Sequence, residues 1–85
     1  MSKLDKLIER MLIIPADFTF SELRKIMGAF GYVERNKGKT SGSRVCFYHP
    51  DTGALITLHK PHPSDKMKKA AVKEVIRFLR EHGHI

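Results

Sequence analysis

Histidine and arginine side chains recur in the middle of the chain, at Arg44, His49, His59 and His62. Imidazole suits acid–base work near neutral pH because its unperturbed pKa is about 6.5. A guanidinium binds phosphate oxygens bidentately and stabilises the negative charge that develops on them. These residue types are the set that metal-independent phosphodiester cleavage needs: a base for the attacking hydroxyl, an acid for the leaving oxygen and a cation.

The same part of the chain carries the net charge. Residues 35–73 contain nine Lys or Arg and two Asp or Glu, an excess of seven that equals the excess of the whole 85-residue chain. A concentrated positive patch on a small domain favours a polyanion such as RNA, and a solvated basic face is the alternative. The residues predicted to contact RNA phosphates are Arg35, Lys37, Lys39, Ser43, Lys60, Lys66, Lys68 and Lys69.

The sequence predicts neither a metal site nor a cofactor. The single Cys46 excludes an internal disulfide and a cysteine-based zinc site, which fits a reducing compartment. His59 and His62 flank a lysine, and a cation between two ligands disfavours metal binding. The apolar run 11–15 is too short to span a bilayer. We therefore expect a cytoplasmic protein with no membrane partner.

Two helices are predicted in the first third of the chain. Residues 2–13 have apolar side chains at the spacing of an amphipathic helix. Thr19 and Glu22 have the spacing of a capping box, which predicts a second helix over residues 20–30 that ends at Gly31. The first helix either packs on the rest of the chain, covers the basic face or forms a homodimer.

A β-hairpin is predicted over residues 44–49 and 54–59, joined by the turn-forming residues 50–53. With a four-residue loop, residue 49 lies opposite residue 54, and the pairing continues in antiparallel order to residues 44 and 59. One face then carries only apolar pairs and must face the core, whereas the other is open. The apolar pairs are Val45 with Leu58 and Phe47 with Ile56, and the open face pairs Arg44 with His59, Cys46 with Thr57 and Tyr48 with Leu55.

The remaining elements complete an α+β fold. Residues 32–35 predict a strand before the hairpin, and residues 66–82 predict a last helix capped by Ser64 or Asp65. His82 and His84 follow as capping or solvent-exposed groups. The predicted order is α-α-β-β-β-α, with a three-stranded antiparallel sheet covered by helices on one face.

Five short segments after the start of the second predicted helix form a recognisable series. They are Phe30-Gly31-Tyr32, Arg35 to Gly38 with Gly42-Ser43-Arg44, Phe47-Tyr48-His49-Pro50, Pro61-His62-Pro63 and a helix with Lys66, Met67, Val72 and Val75. With these segments the chain resembles, from Ser21 to the C-terminus, the HicA family of small bacterial toxins. The family pattern has a helix ending in a glycine–aromatic pair, a strand leading to Arg-x-x-Gly-Ser-His, an aromatic strand ending in His-Pro, a Val-Pro-His-Pro-like segment and a closing helix.

The resemblance implies a double-stranded-RNA-binding-domain-like fold, endoribonuclease activity against messenger RNA and neutralisation by a cognate HicB-like antitoxin. It also implies a boundary, with residues 1–16 as an N-terminal helical extension and residues 17–85 as the HicA-like domain.

One position departs from the family pattern: Arg44 stands where the family has its catalytic histidine. Catalysis is then lost, transferred to another histidine or arranged differently. We expect His59, opposite Arg44, to act as the base, because a neighbouring guanidinium favours neutral imidazole; the alternative is an exposed strand end. His62 either takes part in the reaction or shapes its loop, His49 is a turn residue, and Tyr48 either stacks a base or packs across strands.

Three functions compete at this point. The first is a toxin-type endoribonuclease with Arg44, His59 and His62 as catalytic residues. The second is an RNA-binding module without catalysis, which the arginine at position 44 favours. The third is a protein-interaction domain whose basic face binds an acidic partner.

Overall fold

A computed structural model describes residues 3–36, 44–61 and 64–85 of the chain. Within these ranges, three helices and three strands follow one another in the predicted order, which confirms the α+β class and its double-stranded-RNA-binding-domain-like arrangement. The elements are α1 (Lys3–Leu12), α2 (Phe20–Ala29), β1 (Val33–Asn36), β2 (Arg44–Tyr48), β3 (Leu55–His59) and α3 (Lys69–Glu81).

The sheet is antiparallel with strand order β1-β2-β3, so β2 is the central strand. Val45 pairs with Leu58 and Phe47 pairs with Ile56, which confirms the predicted register. Val45, Phe47 and Leu58 are buried. The alternation of apolar and polar residues determined this register, because a slip of one position would turn the apolar face towards water.

The helices cover one face of the sheet and complete a single apolar core. Helix α2 begins with the predicted capping box: the Glu22 N–H donates to Thr19 Oγ1, and the Thr19 N–H donates to Glu22 Oε1. Gly31 ends the helix with a φ of 92°. The core side chains contributed by helices are Met11 from α1, Phe20, Leu23, Ile26 and Met27 from α2, and Val72, Val75, Ile76 and Leu79 from α3.

Helix α1 packs against α2 and α3, with Met11 fully buried. Beside it, Arg10 Nε donates to Glu22 Oε2 at 2.7 Å, and Arg10 Nη2 donates to Asp17 Oδ1 at 3.2 Å. The first helix is thus anchored through its apolar face and through one arginine. No helix in the described part of the chain is long and apolar enough to cross a bilayer.

The predicted cap of the last helix was wrong. Helix α3 begins at Lys69, and its N-cap Lys68 makes no capping hydrogen bond through its side chain. Asp65 instead accepts hydrogen bonds from the Ser21 N–H and hydroxyl in the first turn of α2. The Phe20 N–H donates to the Asp65 carbonyl at 2.8 Å. Asp65 therefore stabilises a helix start 44 residues earlier in the chain, a pairing that local sequence cannot reveal.

Candidate nucleic-acid interface

The face of the sheet opposite the helices carries the predicted site. Side chains alternate between the two faces of a strand, so the strand register arranges the open face into rows. The rows are Val33–Tyr48–Leu55, Arg35–Cys46–Thr57 and Arg44–His59. The first row is mainly apolar, with Val33 and Leu55 each 46% exposed. The last row places a guanidinium and an imidazole at one end of the hairpin.

Arg44 and His59 are direct cross-strand partners, as the register predicted. Directly opposite side chains have Cβ atoms about 5 Å apart, close enough for both to contact one phosphate group. Both residues are exposed. The pair is therefore accessible to a polyanion, and it combines a proton acceptor with a fixed positive charge.

Basic residues extend from this pair into a groove between β3 and the start of α3. The groove has a volume of about 530 Å³ and is lined by His59, Lys60, Lys66 and Lys68, with Glu74 on the helix wall. Its apolar lining includes Leu58 and Met67, which are buried. Three of the predicted phosphate contacts thus lie together with the predicted base, and one carboxylate faces them.

The other predicted contacts are distributed differently. Lys69 is the first residue of α3 and does not line the groove. Arg35 lies in the middle row of the open face. His62, Lys37, Lys39 and Ser43 lie outside the described residues.

Arg35 and Tyr48 form a contact that sequence reasoning missed. The Arg35 guanidinium carbon lies 4.9 Å from the centroid of the Tyr48 ring, a cation–π arrangement. Cys46 is buried on this otherwise open face, where Arg35 and Thr57 are its cross-strand neighbours. Because the guanidinium occupies one face of the ring, a nucleobase that stacked there would have to displace Arg35.

A carboxylate near the groove is held in its charged form. Hydrogen bonds from Ser21 lower the pKa of Asp65, and the positive charges of Arg24 and Lys60 contribute to the same shift. The negative charge of Asp65 weakens the positive field around Lys60. The basic character of the groove comes from lysines that exceed these acidic neighbours in number.

His84 lies outside the open face and has a structural role. The Tyr32 hydroxyl is hydrogen-bonded to His84 Nε2 at 3.0 Å, and His84 stacks on Phe30. Burial lowers the pKa of His84, and the nearby His49 and His82 lower it further. His84 is therefore part of an aromatic cluster, whereas the sequence predicted a capping or solvent-exposed group.

His49 belongs to the same cluster and also orders the hairpin turn. Its ring meets Tyr32 edge-on at 5.0 Å, and its Nδ1 accepts from the Asp51 N–H at 3.2 Å. A Cβ at Gly31 would lie 3.0 Å from His49 Nε2. The prediction of a turn residue agrees with this position.

Within the described residues, no group of three or more histidine, cysteine or acidic side chains has an arrangement that would hold a metal ion. A family model described as HicA toxin of bacterial toxin-antitoxin matches residues 20–83, which are 64 of the 85 residues. Comparisons with curated proteins and with solved structures found no match. Helix α1 lies outside the matched range.

Proposed function

Since the chain belongs to the HicA family of toxins from bacterial toxin–antitoxin pairs, we propose that it is an endoribonuclease that cleaves messenger RNA by metal-independent acid–base chemistry. The observation that carries this proposal is the cross-strand pair Arg44–His59 at the mouth of a groove lined by Lys60, Lys66 and Lys68. Family membership supports a toxin, and this site supports the chemistry.

In the proposed reaction His59 removes the proton of a ribose 2′-hydroxyl. The oxygen attacks the adjacent phosphorus, a 2′-O–P bond forms and the P–O5′ bond breaks. The leaving 5′ oxygen takes a proton from an acid, a role that we assign to His62. Arg44 hydrogen-bonds the phosphoryl oxygens and stabilises the charge that grows on them in the transition state.

The groove lysines bind the RNA backbone on either side of the cleaved bond. Lysine–phosphate contacts provide affinity without reading sequence, and their strength falls as salt concentration rises. We assign Lys37, Lys39, Ser43 and Lys69 to the same backbone contacts, and Arg35 to the neighbouring part of the open face. The RNA is then held across one end of the sheet.

Cleavage of a generic messenger RNA in EDTA tests this assignment. We expect His59→Ala to lower the single-turnover rate by about 10²- to 10⁴-fold, the usual contribution of a general base. Arg44→Ala should lower it as well. The matched control is His82→Ala, which removes an exposed histidine that packs on Phe78 away from the open face. Equal rates for wild type, His59→Ala and His62→Ala would remove histidine from the mechanism.

A second candidate function is RNA binding without cleavage. The observation that favours it is the arginine at position 44, where the resemblance places the catalytic histidine. Retained RNA binding together with no cleavage by the wild-type protein would establish this alternative.

We also propose a cognate HicB-like antitoxin as protein partner and the cytoplasm as the site of action. Induction of the chain should arrest growth, and coexpression of its antitoxin should relieve the arrest. Arrest that persists in His59→Ala would show that toxicity does not depend on the proposed base.

A further inference from the structure

Within the described residues, no strand pairs with the backbone groups on the outer edge of β3. The sheet has the order β1-β2-β3, so β3 is an edge strand in the described part of the chain. The His49 N–H donates to the Ala54 carbonyl at 2.9 Å, which directs the backbone groups of Ala54 towards β2. Because these directions alternate along an antiparallel strand, Ile56 and Leu58 also bond to β2. Thr57 and His59 therefore direct their N–H and C=O groups outwards.

This edge is one wall of the groove already described. Thr57, Leu58, His59 and Lys60 line it on the β3 side, and the residues that line it on the other side are Lys66, Met67, Lys68, Ala70, Ala71 and Glu74. The four residues on the β3 side, three from β3 and the one that follows it, extend roughly 10 Å at about 3.4 Å per residue. The volume of about 530 Å³ is in the range of ligand-binding pockets. The groove can therefore hold a short extended segment beside β3.

The charges around the groove select the chemistry of such a segment. Lys60, Lys66 and Lys68 supply three positive charges, and Glu74 supplies one negative charge. The apolar lining from Leu58, Met67 and Ala71 suits aliphatic side chains. Since successive side chains of a strand point to opposite sides, a segment that alternates acidic and aliphatic residues can meet both the lysines and the apolar lining.

We infer that an extended acidic segment of a protein partner binds in this groove by adding a fourth strand to the free edge of β3. The edge itself favours a peptide over a row of RNA phosphates: phosphate oxygens only accept hydrogen bonds, whereas a peptide strand satisfies outward N–H and C=O groups in turn. The inference deepens the proposed function and rests on it for the consequence of binding. A strand in this position covers His59 and the three groove lysines, so the partner excludes RNA.

Amide exchange of the full chain, followed by NMR, tests the added strand directly. The probe is a synthetic peptide of alternating Val and Glu, and a Val–Lys peptide of equal length is the charge control. We expect the Val–Glu peptide to slow exchange at the Thr57 and His59 amides about tenfold or more, with little change at Ile56 and Leu58. The Val–Lys peptide should not bind. Absence of binding by the Val–Glu peptide, or binding that leaves the Thr57 and His59 amides unprotected, would overturn the inference.

Thr57→Pro is the matching variant, because proline removes an N–H that points out of the sheet and is tolerated on such an edge. We expect it to weaken binding of the Val–Glu peptide about tenfold and binding of a short single-stranded RNA by much less, because the groove lysines are retained. Leu55→Pro removes an outward N–H on the same edge but beyond the groove lining, and should bind the peptide as wild type does. Melting curves verify that both variants fold. Wild-type peptide affinity in folded Thr57→Pro contradicts an added strand.

RNA is the alternative occupant of the edge, and the exchange experiment identifies it. If a short single-stranded RNA protects the Thr57 and His59 amides and the Val–Glu peptide does not, the edge binds RNA and the inference is wrong. The peptide measurements involve no RNA cleavage. Loss of peptide binding and loss of ribonuclease activity therefore remain separate results.

Discussion

Within the part of the chain that the structure describes, charged side chains are paired where α1 meets α2, whereas those in the groove beside β3 are not. On the helix side, Arg10 bridges Glu22 and Asp17 and thereby joins two helices. In the groove, by contrast, Lys60, Lys66 and Lys68 have no carboxylate within 4 Å among the described residues. Paired arginines hold elements together, whereas these lysines keep their charge available to a ligand. Stability and binding should therefore respond to different substitutions.

The largest expected effect is on stability and concerns α1. Met11→Ala removes a fully buried side chain, so we expect the free energy of unfolding to fall by about 2–5 kcal/mol. Chemical denaturation measures this loss. Leu12→Ala is the control in the same helix, because Leu12 is 38% exposed, and it should cost much less. Equal small effects of the two substitutions would show that α1 is dispensable for the fold.

The next effect is on RNA binding and concerns the groove lysines. Replacing Lys60, Lys66 and Lys68 together by alanine should weaken RNA binding about 100-fold at low salt. It should also make the negative slope of log K against log salt shallower by about two. The matched control replaces Lys73, Arg77 and Arg80, which line a different depression beside Ile14. Both variants lose three positive charges. Equal losses of affinity would mean that net charge, and not the groove, determines binding.

A smaller effect is the dependence of stability on pH through Glu22. The hydrogen bond from Arg10 lowers the pKa of Glu22 from 4.5 to about 2, and hydrogen bonds from Thr19 add to this shift. A carboxyl with a lowered folded-state pKa stabilises the fold above the unfolded pKa, and this stabilisation is lost as pH falls through the folded value. We expect the ionised Glu22 to add about 1–2 kcal/mol to the free energy of unfolding at neutral pH.

Denaturation of wild type and Glu22→Gln at pH 7, 4 and 2 tests this dependence. The difference in stability between the two proteins should shrink as pH falls from 4.5 towards 2. Asp51→Asn is the control, because Asp51 is an exposed residue of the hairpin turn. A difference that is constant over this range would show that the charge of Glu22 does not contribute.

Local patterns were sufficient for the hairpin and for the start of α2. The register of Val45 with Leu58 follows from strict alternation and a four-residue turn, and both signals lie within 16 residues of one another (44–59). The capping box of Thr19 and Glu22 depends on a spacing of three. In each case the residues that interact are neighbours in sequence, so their pattern predicts the contact.

Contacts between distant segments were not predictable. Asp65 is a residue type that commonly caps helices, and the sequence predicts it as a cap for the helix that follows it. Its carboxylate instead accepts a hydrogen bond from Ser21, and α3 begins at Lys69 without a side-chain cap. His84 is near a helix end, where the sequence predicts a solvent-exposed group, but tertiary packing places it against Tyr32 and Phe30. A residue with two possible partners binds the one that folding brings nearer.

The sequence alone determined the element types, the hairpin register and the pairing of Arg44 with His59, because periodicity and turn length act over short distances. Only the tertiary structure decided that Lys60, Lys66 and Lys68 share a groove with His59, that Arg35 covers Tyr48, and that α1 belongs to the core through Met11. These features depend on how α3 and α1 pack on the sheet. Packing is settled by the summed burial of residues far apart in the chain.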